Sequence, residues 1–187
     1  MSTELADFTD GELAALALAG RQHAYSVLMA RHREPIYRLV RSHVGDGDEA
    51  LDVTQQSFVA AFAALARYDR ERPFRVWLSR IAINKCHDWA RRRTVRRLFS
   101  FARPIGEAAE VAAEAVPADR ALVGAQQLEA VMRAIASLPD SLKEPLILRT
   151  IEDLSQAETA EVLGISAKAV EVRLYRARAR LAEMLRD

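Results

Sequence analysis

Glycine and proline are scarce in this sequence, which contains only 7 and 6 of them among its 187 residues. Ala, Leu, Arg and Glu, which are strong helix formers, dominate instead. No run of alternating β-branched residues is long enough to predict a sheet. We therefore expect an all-α protein, and because half of the residues are hydrophobic, the chain is able to build a buried core.

The sequence also has only one cysteine, Cys86, and no apolar stretch of about 20 residues. A single cysteine excludes an intrachain disulfide and fits a reducing compartment. Its neighbour His87 does not complete a metal-ligand pattern, and the other histidines are scattered singly, so we expect no metal and no cofactor. At the N-terminus, no basic segment is followed by an apolar run. We therefore expect no secretory signal and no membrane insertion.

Charge of either sign shows no large excess, since the net charge is only +1, but it is unevenly distributed. Residues 67–97 contain eleven Arg or Lys and three acidic residues, and residues 168–186 contain six basic and two acidic residues. Between them, residues 104–119 contain four acids and no base. Two basic segments around an acidic one indicate two contact points on a polyanion such as nucleic acid.

Helical periodicity divides the chain into two domains. Apolar residues recur at helical spacing up to about residue 98 and again from about residue 119. The Ala- and Glu-rich segment between them contains Pro104 and Pro117 and has no sustained period, which is typical of a flexible linker. We predict a helical domain at 1–98, a linker at 99–118 and a second helical domain at 119–187.

The segment 73–93 predicts one helix with two distinct faces. Phe74, Leu78 and Trp89 belong to an apolar stripe that would face a core. A neighbouring sector combines an aromatic ring, an amide, a carboxylate and guanidinium groups, namely Trp77, Arg80, Asn84, Asp88 and Arg91. Such side chains hold phosphates, stack on bases and hydrogen-bond to base edges. For this segment alone, an ordinary amphipathic helix with a solvated basic face is an equally good interpretation.

A second pattern, from Ser155 to about residue 185, is typical of a DNA-binding helix-turn-helix. Ser155 and Glu158 predict a capping box, Gly164 suits the left-handed residue that ends a helix, and Ser166 would cap the next helix. That second helix carries base-reading and phosphate-binding types near its N-terminus: Lys168, Glu171, Val172, Arg173, Tyr175 and Arg176. The alternative interpretation is a helical hairpin inside a bundle.

In their order and separation, these motifs resemble the extracytoplasmic-function group of bacterial RNA polymerase sigma factors, within the sigma-70 family. The resemblance covers nearly the whole chain. Region two is matched by segments 44–50, 52–58, 74–78, 81–84 and 88–92. Region four is matched by segments 138–139, 158–160, 163–164, 169–170 and 173–178. Only a linker lies between the two, as in this group, whereas larger sigma factors carry region three there.

The resemblance implies a non-catalytic subunit that binds core RNA polymerase and directs promoter-specific transcription initiation. Its partners would be the clamp coiled coil and flap of the polymerase, promoter DNA and an anti-sigma factor that controls an envelope, stress or nutrient response. The residues that match the polymerase-docking helix are Asp52, Gln55, Gln56 and Phe58. Those that match the helix meeting the minus-ten element are Trp77, Arg80, Asn84, Asp88, Arg91 and Arg92. The second helix of the helix-turn-helix carries outward residues from Lys168 to Arg176. These match the residues that read the minus-thirty-five element.

The resemblance also implies a cytoplasmic protein, found on the nucleoid when active and at the membrane where an anti-sigma factor holds it. Three departures from the family pattern stand out. Glu171 replaces a frequent Lys or Arg and Val172 a frequent Ser, which puts the promoter sequence in doubt rather than the docking mode. Thr159 replaces a usual aliphatic residue, and its hydroxyl needs a partner if it is buried.

Other classes of function are weighed against this one. A stand-alone helix-turn-helix regulator with a helical sensor domain would need a ligand pocket or a dimer face within residues 1–98. A helical adaptor would use the basic faces to bind acidic proteins. An enzyme is least favoured, because the sequence has no Ser/His/Asp constellation, P-loop or metal-ligand spacing.

Overall fold

The computed structural model describes residues 5–100 and 120–186. Within these ranges the chain forms α-helices and one 3-10 turn, Leu65–Arg67, with no strand, so the all-α prediction is confirmed. The helices are α1 (Asp10–Leu18), α2 (Gln22–Val44), α3 (Gly47–Ala63), α4 (Phe74–Ser100), α5 (Arg120–Ser137), α6 (Asp140–Thr150), α7 (Gln156–Leu163) and α8 (Ala167–Met184). Apart from its first two residues, which complete α4, the predicted linker at 99–118 lies outside the described residues. Among the residues described, no helix combines the length and apolar character needed to cross a membrane.

Short polar side chains start several of these helices. Thr9 and Glu12 form the expected capping box at α1, because the Glu12 N–H donates to Thr9 Oγ1 at 3.3 Å and the Thr9 N–H donates to Glu12 Oε2 at 2.7 Å. The sequence predicts Asp48 as the cap of α3, but the cap is Asp46, whose side chain accepts from the Glu49 N–H at 2.9 Å. Helix α3 therefore begins earlier than its sequence suggests.

Helix α2 is the central element of the N-terminal half, which we define as α1–α4. It packs against α1, α3 and α4 and buries Leu28, Ile36 and Leu39 completely. Burying a side chain of this size contributes about 1.5–3 kcal/mol. The sequence predicts that Pro35 kinks or restarts this helix. The structure shows one helix continuing through Pro35, since the packing on both sides of the proline outweighs the one backbone hydrogen bond that proline removes.

The C-terminal half, defined as α5–α8, contains the helix-turn-helix predicted from the sequence. Ser155 and Glu158 form the capping box of α7, and Ser166 Oγ accepts from the Ala169 N–H at 3.1 Å to cap α8. Gly164 ends α7 with a φ of +63°, the left-handed conformation that glycine adopts without a steric penalty. The turn that orients α8 is therefore built by the residues predicted for it.

The two halves pack against each other in this structure. Helices α5 and α6 contact α2, and α7 contacts α4. Gly45 ends α2 with a φ of +84°, and a Cβ added there would lie 2.9 Å from the Cβ of Ala136 in α5. Only glycine fits this approach without a shift, so the end of α2 is shaped for the contact with the C-terminal half.

Candidate nucleic-acid interface

The predicted polar sector of α4 lies on one side of that helix, as its spacing of three and four residues requires. Arg80, Asn84, Arg91 and Arg92 are exposed, whereas Trp77 and Asp88 are partly buried. The Asp88 carboxylate accepts from Arg91 and lies 3.9 Å from Lys85 Nζ. Its charge is therefore offset within the helix, and the sector as a whole is positive.

Trp77 stands in an aromatic cluster at the start of α4. Its ring centroid lies 5.2 Å from that of Tyr68 and 5.4 Å from that of Phe74, both of which are buried. Burial, followed by the nearby charges of Asp10 and Asp69, raises the pKa of Tyr68 to about 12. The Tyr68 hydroxyl consequently stays protonated and donates to the carbonyl of Arg72, which fixes the loop in front of Trp77.

A pocket of about 290 Å³ opens beside this cluster. One wall is formed by the loop 67–73 together with Trp77 and Arg80 of α4. The other wall is formed by Glu161 and Val162 of α7. By resemblance to the family, the loop 68–73 would receive a base extruded from the opening promoter. This loop borders the cavity, and the C-terminal half covers part of it.

The predicted reading face of α8 points away from the rest of the protein. Lys168, Glu171, Val172, Tyr175 and Arg176 are exposed, and Tyr175 is 78% exposed. Arg173, the sixth residue predicted for this face, is partly buried. Lys168 Nζ lies 2.9 Å from Glu171 Oε2, so the unusual acidic side chain is held by a neighbouring cation.

The predicted polymerase-docking residues of α3 separate into two groups. Asp52, Gln55 and Gln56 are exposed, and Gln56 Oε1 accepts from Arg92 Nη2 at 3.0 Å, which connects this ridge to α4. Phe58 is only 3% exposed and packs against Phe62 with its ring tilted, and both side chains line the floor of the groove beside the ridge.

The exposed apolar residues beside this ridge are instead Met29, Leu51 and Val59. They line a groove of about 690 Å³ between α2 and α3. Helical periodicity predicts that Leu51 faces inward like Phe58, and this prediction is wrong, since Leu51 is 47% exposed. It lies in the second turn of α3 on the side of the groove, which helical periodicity alone does not reveal.

Polar contacts between the two halves were not predicted. Glu152, in the turn after α6, is fully buried and lies 2.9 Å from Arg75 Nη2 and 3.9 Å from Arg38 Nε. Burial raises the pKa of Glu152 above its ordinary value, although the two arginines act against this shift. A second pair joins Arg72 to Glu161 on the surface. Arg75 and Glu152 are 77 residues apart, and no sequence signal connects them.

The described residues thus present two basic helical faces and one mixed polar and apolar ridge. A cluster of aromatic rings beside arginines and an amide suits unpaired bases and phosphates. An exposed helix with polar and charged residues near its N-terminus suits the major groove. This set of side chains is suited to binding nucleic acid and a protein partner at separate surfaces.

Similarity to known proteins agrees with this geometry. Family models for sigma-70 region 2 and sigma-70 region 4 match residues 28–103 and 128–181. The RNA polymerase sigma factor CnrH of Cupriavidus metallidurans is 38% identical over 179 residues, with 94% of each chain covered. The ECF RNA polymerase sigma factor SigW of Bacillus subtilis is 28% identical over 172 residues, covering 90% of this chain and 92% of SigW.

A solved structure of CnrH in complex with the cytosolic domain of CnrY has a TM-score of 0.69 to this chain at 36% identity. The match covers 94% of this chain and 96% of that one. These similarities support a sigma factor and not the alternative of a stand-alone regulator. The chain therefore belongs to the sigma-70 family of RNA polymerase sigma factors, in its extracytoplasmic-function group.

Proposed function

We propose that this protein is a specificity subunit that binds core RNA polymerase and directs it to promoters with a minus-ten and a minus-thirty-five element. It carries out no chemistry of its own. The observation that carries the proposal is the presence of two basic helical faces, on α4 and α8, in two halves that match sigma regions 2 and 4. Two separate faces suit two separate promoter elements.

The ridge of Asp52, Gln55 and Gln56, with the groove next to it, is the proposed docking surface for the clamp coiled coil of the polymerase. Separable interfaces combine an apolar centre with a polar rim. Leu51 and Val59 supply exposed apolar area, and the groove between α2 and α3 suits the apolar face of a helix. The C-terminal half would contact the polymerase flap.

The α4 sector is proposed to capture the minus-ten strand as the promoter opens. Trp77, Asn84 and Asp88 would meet unpaired bases, while Arg80, Arg91 and Arg92 would contact phosphates. Extruding a base costs a few kcal/mol, and stacking on an aromatic ring contributes about 1–3 kcal/mol. The cavity beside Trp77 and loop 67–73 is therefore energetically suited to accept a base from a strand that is already opening.

The α8 face is proposed to read the minus-thirty-five element in the major groove. A Glu at position 171 accepts a hydrogen bond from a cytosine amino group and is unsuited to guanine or phosphate. Each half makes few phosphate contacts, so binding to DNA alone would be weak and salt-dependent. Affinity would come from holding both halves on the polymerase, where the second DNA contact becomes intramolecular.

An anti-sigma factor is the proposed regulatory partner. The relative CnrH was solved with the cytosolic domain of CnrY, and we propose that a comparable partner covers the docking ridge and DNA faces of this protein. The chain would then act in the cytoplasm, and a membrane-bound partner would hold it at the membrane until its release.

Transcription by purified core polymerase, with and without this chain, tests the proposal. The chain should produce promoter-specific run-off transcripts, and Gln55→Lys should reduce co-purification with core polymerase while its helix content is unchanged. Gln22→Lys is a matched control, because Gln22 is an exposed glutamine of α2 outside the ridge. The absence of any specific transcript would overturn the function, and equal loss in both variants would overturn the docking surface.

A further inference from the structure

Four side chains of metal-binding type meet at the contact between the two halves. His43 lies at the end of α2, His87 lies in α4, and Asp140 and Glu144 lie one turn apart in α6. One ligand atom from each lies within 4.8 Å of all the others. His43 Nε2 is 3.5 Å from Glu144 Oε1 and 3.7 Å from Asp140 Oδ1, and His87 Nε2 contacts Glu144 Oε1.

His43 is the unusual member of this cluster. Its side chain is only 1% exposed, yet neither ring nitrogen has a hydrogen-bond partner among the residues that the structure describes. Buried polar atoms in native proteins nearly always have a partner. The Nε2 atom points at two carboxylates at distances too long for good hydrogen bonds, which is the geometry expected around an additional atom placed between them.

The separations fit a transition-metal ion of the zinc class. Zinc binds imidazole nitrogen and carboxylate oxygen at about 2.0–2.2 Å, so the corners of a tetrahedral site lie about 3.4 Å apart. The separations of 3.5 and 3.7 Å between His43 Nε2 and the two carboxylates are close to that value. His87 Nε2 and Glu144 Oε1 are in direct hydrogen-bond contact, closer than two ligands of one ion, and would have to move apart when the ion binds. Two imidazoles with two carboxylates also form a set of nitrogen and oxygen ligands that suits zinc and similar divalent ions.

A simpler interpretation is a network of ion pairs centred on Lys143. Its Nζ lies 3.1 Å from Asp140 Oδ1 and 3.3 Å from the carbonyl oxygen of His43. Lys143 offsets one carboxylate but leaves Glu144 facing two imidazoles, and it leaves the nitrogens of His43 without a partner. The ion-pair network therefore explains only part of the cluster.

We propose that His43, His87, Asp140 and Glu144 bind one divalent transition-metal cation that joins the two halves. Each half supplies two ligands, so a complete site exists only when the halves are packed together. The ion would therefore stabilise the packed arrangement by mass action. No short sequence motif reveals the site, because only Asp140 and Glu144 are close in sequence. The inference is independent of the proposed function, since metal binding is measured without polymerase or DNA.

Metal titration of the purified full chain, after treatment with a chelator, tests this site. Calorimetry with Zn²⁺ should give one equivalent bound, and Co²⁺ should give the visible absorption of a tetrahedral complex. His87→Gln and Asp140→Asn should each weaken metal binding by at least about tenfold. Changing a residue that only supports a metal ligand already costs about 10–100-fold in affinity, and these variants remove a ligand itself. His87 is preferred to His43 for substitution because its side chain is 37% exposed and its loss disturbs the core less.

His23→Gln is the matched control, since His23 is exposed in α2 and outside the cluster. It should bind metal as tightly as the unaltered chain. Zn²⁺ should also raise the unfolding temperature of the unaltered chain and of His23→Gln, but not of His87→Gln. Failure of the unaltered chain to bind one equivalent, or equal affinity in His87→Gln, would overturn the proposal and leave an ion-pair network as the explanation.

Discussion

Helices α4 and α8 carry similar basic faces but differ in how accessible those faces are. The α8 face, from Lys168 to Arg176, points away from the protein. The start of the α4 face, at Trp77 and Arg80, shares a pocket with Glu161 and Val162 of α7. In the packed arrangement the proposed minus-thirty-five face on α8 is therefore open, while a base entering the pocket beside Trp77 would meet α7. Contact between the halves thus covers part of one proposed DNA face and leaves the other open.

Among the substitutions considered, Glu152→Lys should change the difference in accessibility between the α4 and α8 faces most. A lysine there would face Arg75 and Arg38 in a fully buried position. Removing one partner of a buried ion pair costs about 3–5 kcal/mol, because the other charge is left buried without compensation. Separating the halves relieves that penalty. The halves should come apart, and small-angle X-ray scattering should record a larger radius of gyration.

Glu161→Lys provides the control for that experiment. It also places a lysine opposite an arginine, Arg72, but both side chains of this pair are about half exposed. Surface pairs contribute only about 0–1 kcal/mol, so the radius of gyration should change little. An unchanged radius in Glu152→Lys would show that Glu152 does not hold the halves together.

The next largest effect is expected from Arg176→Ala, which acts on the accessible face. Losing a side-chain contact to a base edge in the major groove costs about 1–3 kcal/mol. Promoter binding by the polymerase containing this variant should weaken by roughly five- to 150-fold, and the loss should depend on the minus-thirty-five sequence. Competition binding with an altered element measures this dependence.

Arg180→Ala is the matched control on the same helix. Arg180 is exposed and pairs with Glu183 at 3.0 Å, further along α8 from the predicted reading residues. Its substitution should leave sequence preference unchanged. If both arginine variants lost affinity equally and at every promoter, α8 would contribute general charge and would not read sequence.

The sequence predicts local features of both faces well, because their causes are local. The capping box of Ser155 and Glu158 and the left-handed Gly164 depend on neighbouring residues, so the turn before α8 is predictable. The depth of the core is a property of the whole fold, and for that reason the exposure of Leu51 was not predicted. The pair of Arg75 and Glu152 depends on how the halves pack, and no local pattern specifies it.

A change in pH should have a smaller effect on the packing of the two halves. Burial raises the pKa of Glu152 above its ordinary 4.5, and separation of the halves would return it to that value. The packed form therefore binds more protons between pH 4.5 and the raised pKa. Packing should be strongest below this window, weaken as pH rises through it and then show no further change from this group.

Scattering measured from pH 4.5 upward, for the unaltered chain and for Glu152→Gln, isolates this contribution. The amide does not titrate, so the difference between the two curves removes the effects of all other groups and leaves the contribution of Glu152. Identical pH dependence in both chains would mean that the carboxyl of Glu152 is not coupled to the packing of the halves.

The smallest effect is expected from two threonines, one in each half. Thr54 in α3 and Thr159 in α7 are buried, and neither hydroxyl has a hydrogen-bond partner among the described residues. Replacing either by valine removes an unsatisfied polar group at nearly constant shape, which should stabilise its half by about 1 kcal/mol. For a chain of this size, that change raises an unfolding midpoint by roughly 2–4 °C. A lower midpoint would mean that the hydroxyl has a partner, such as a buried water.

Calorimetry of the two valine variants also shows how tightly α4 is coupled to the helix that borders its pocket. If the halves unfold separately, Thr54→Val should shift one transition and Thr159→Val the other. If the packed contact makes them one cooperative unit, both variants should shift a single transition by similar amounts. Two independent transitions would mean that α7 leaves the pocket beside Trp77 at little energetic cost, and the difference in accessibility between α4 and α8 would then be small in solution.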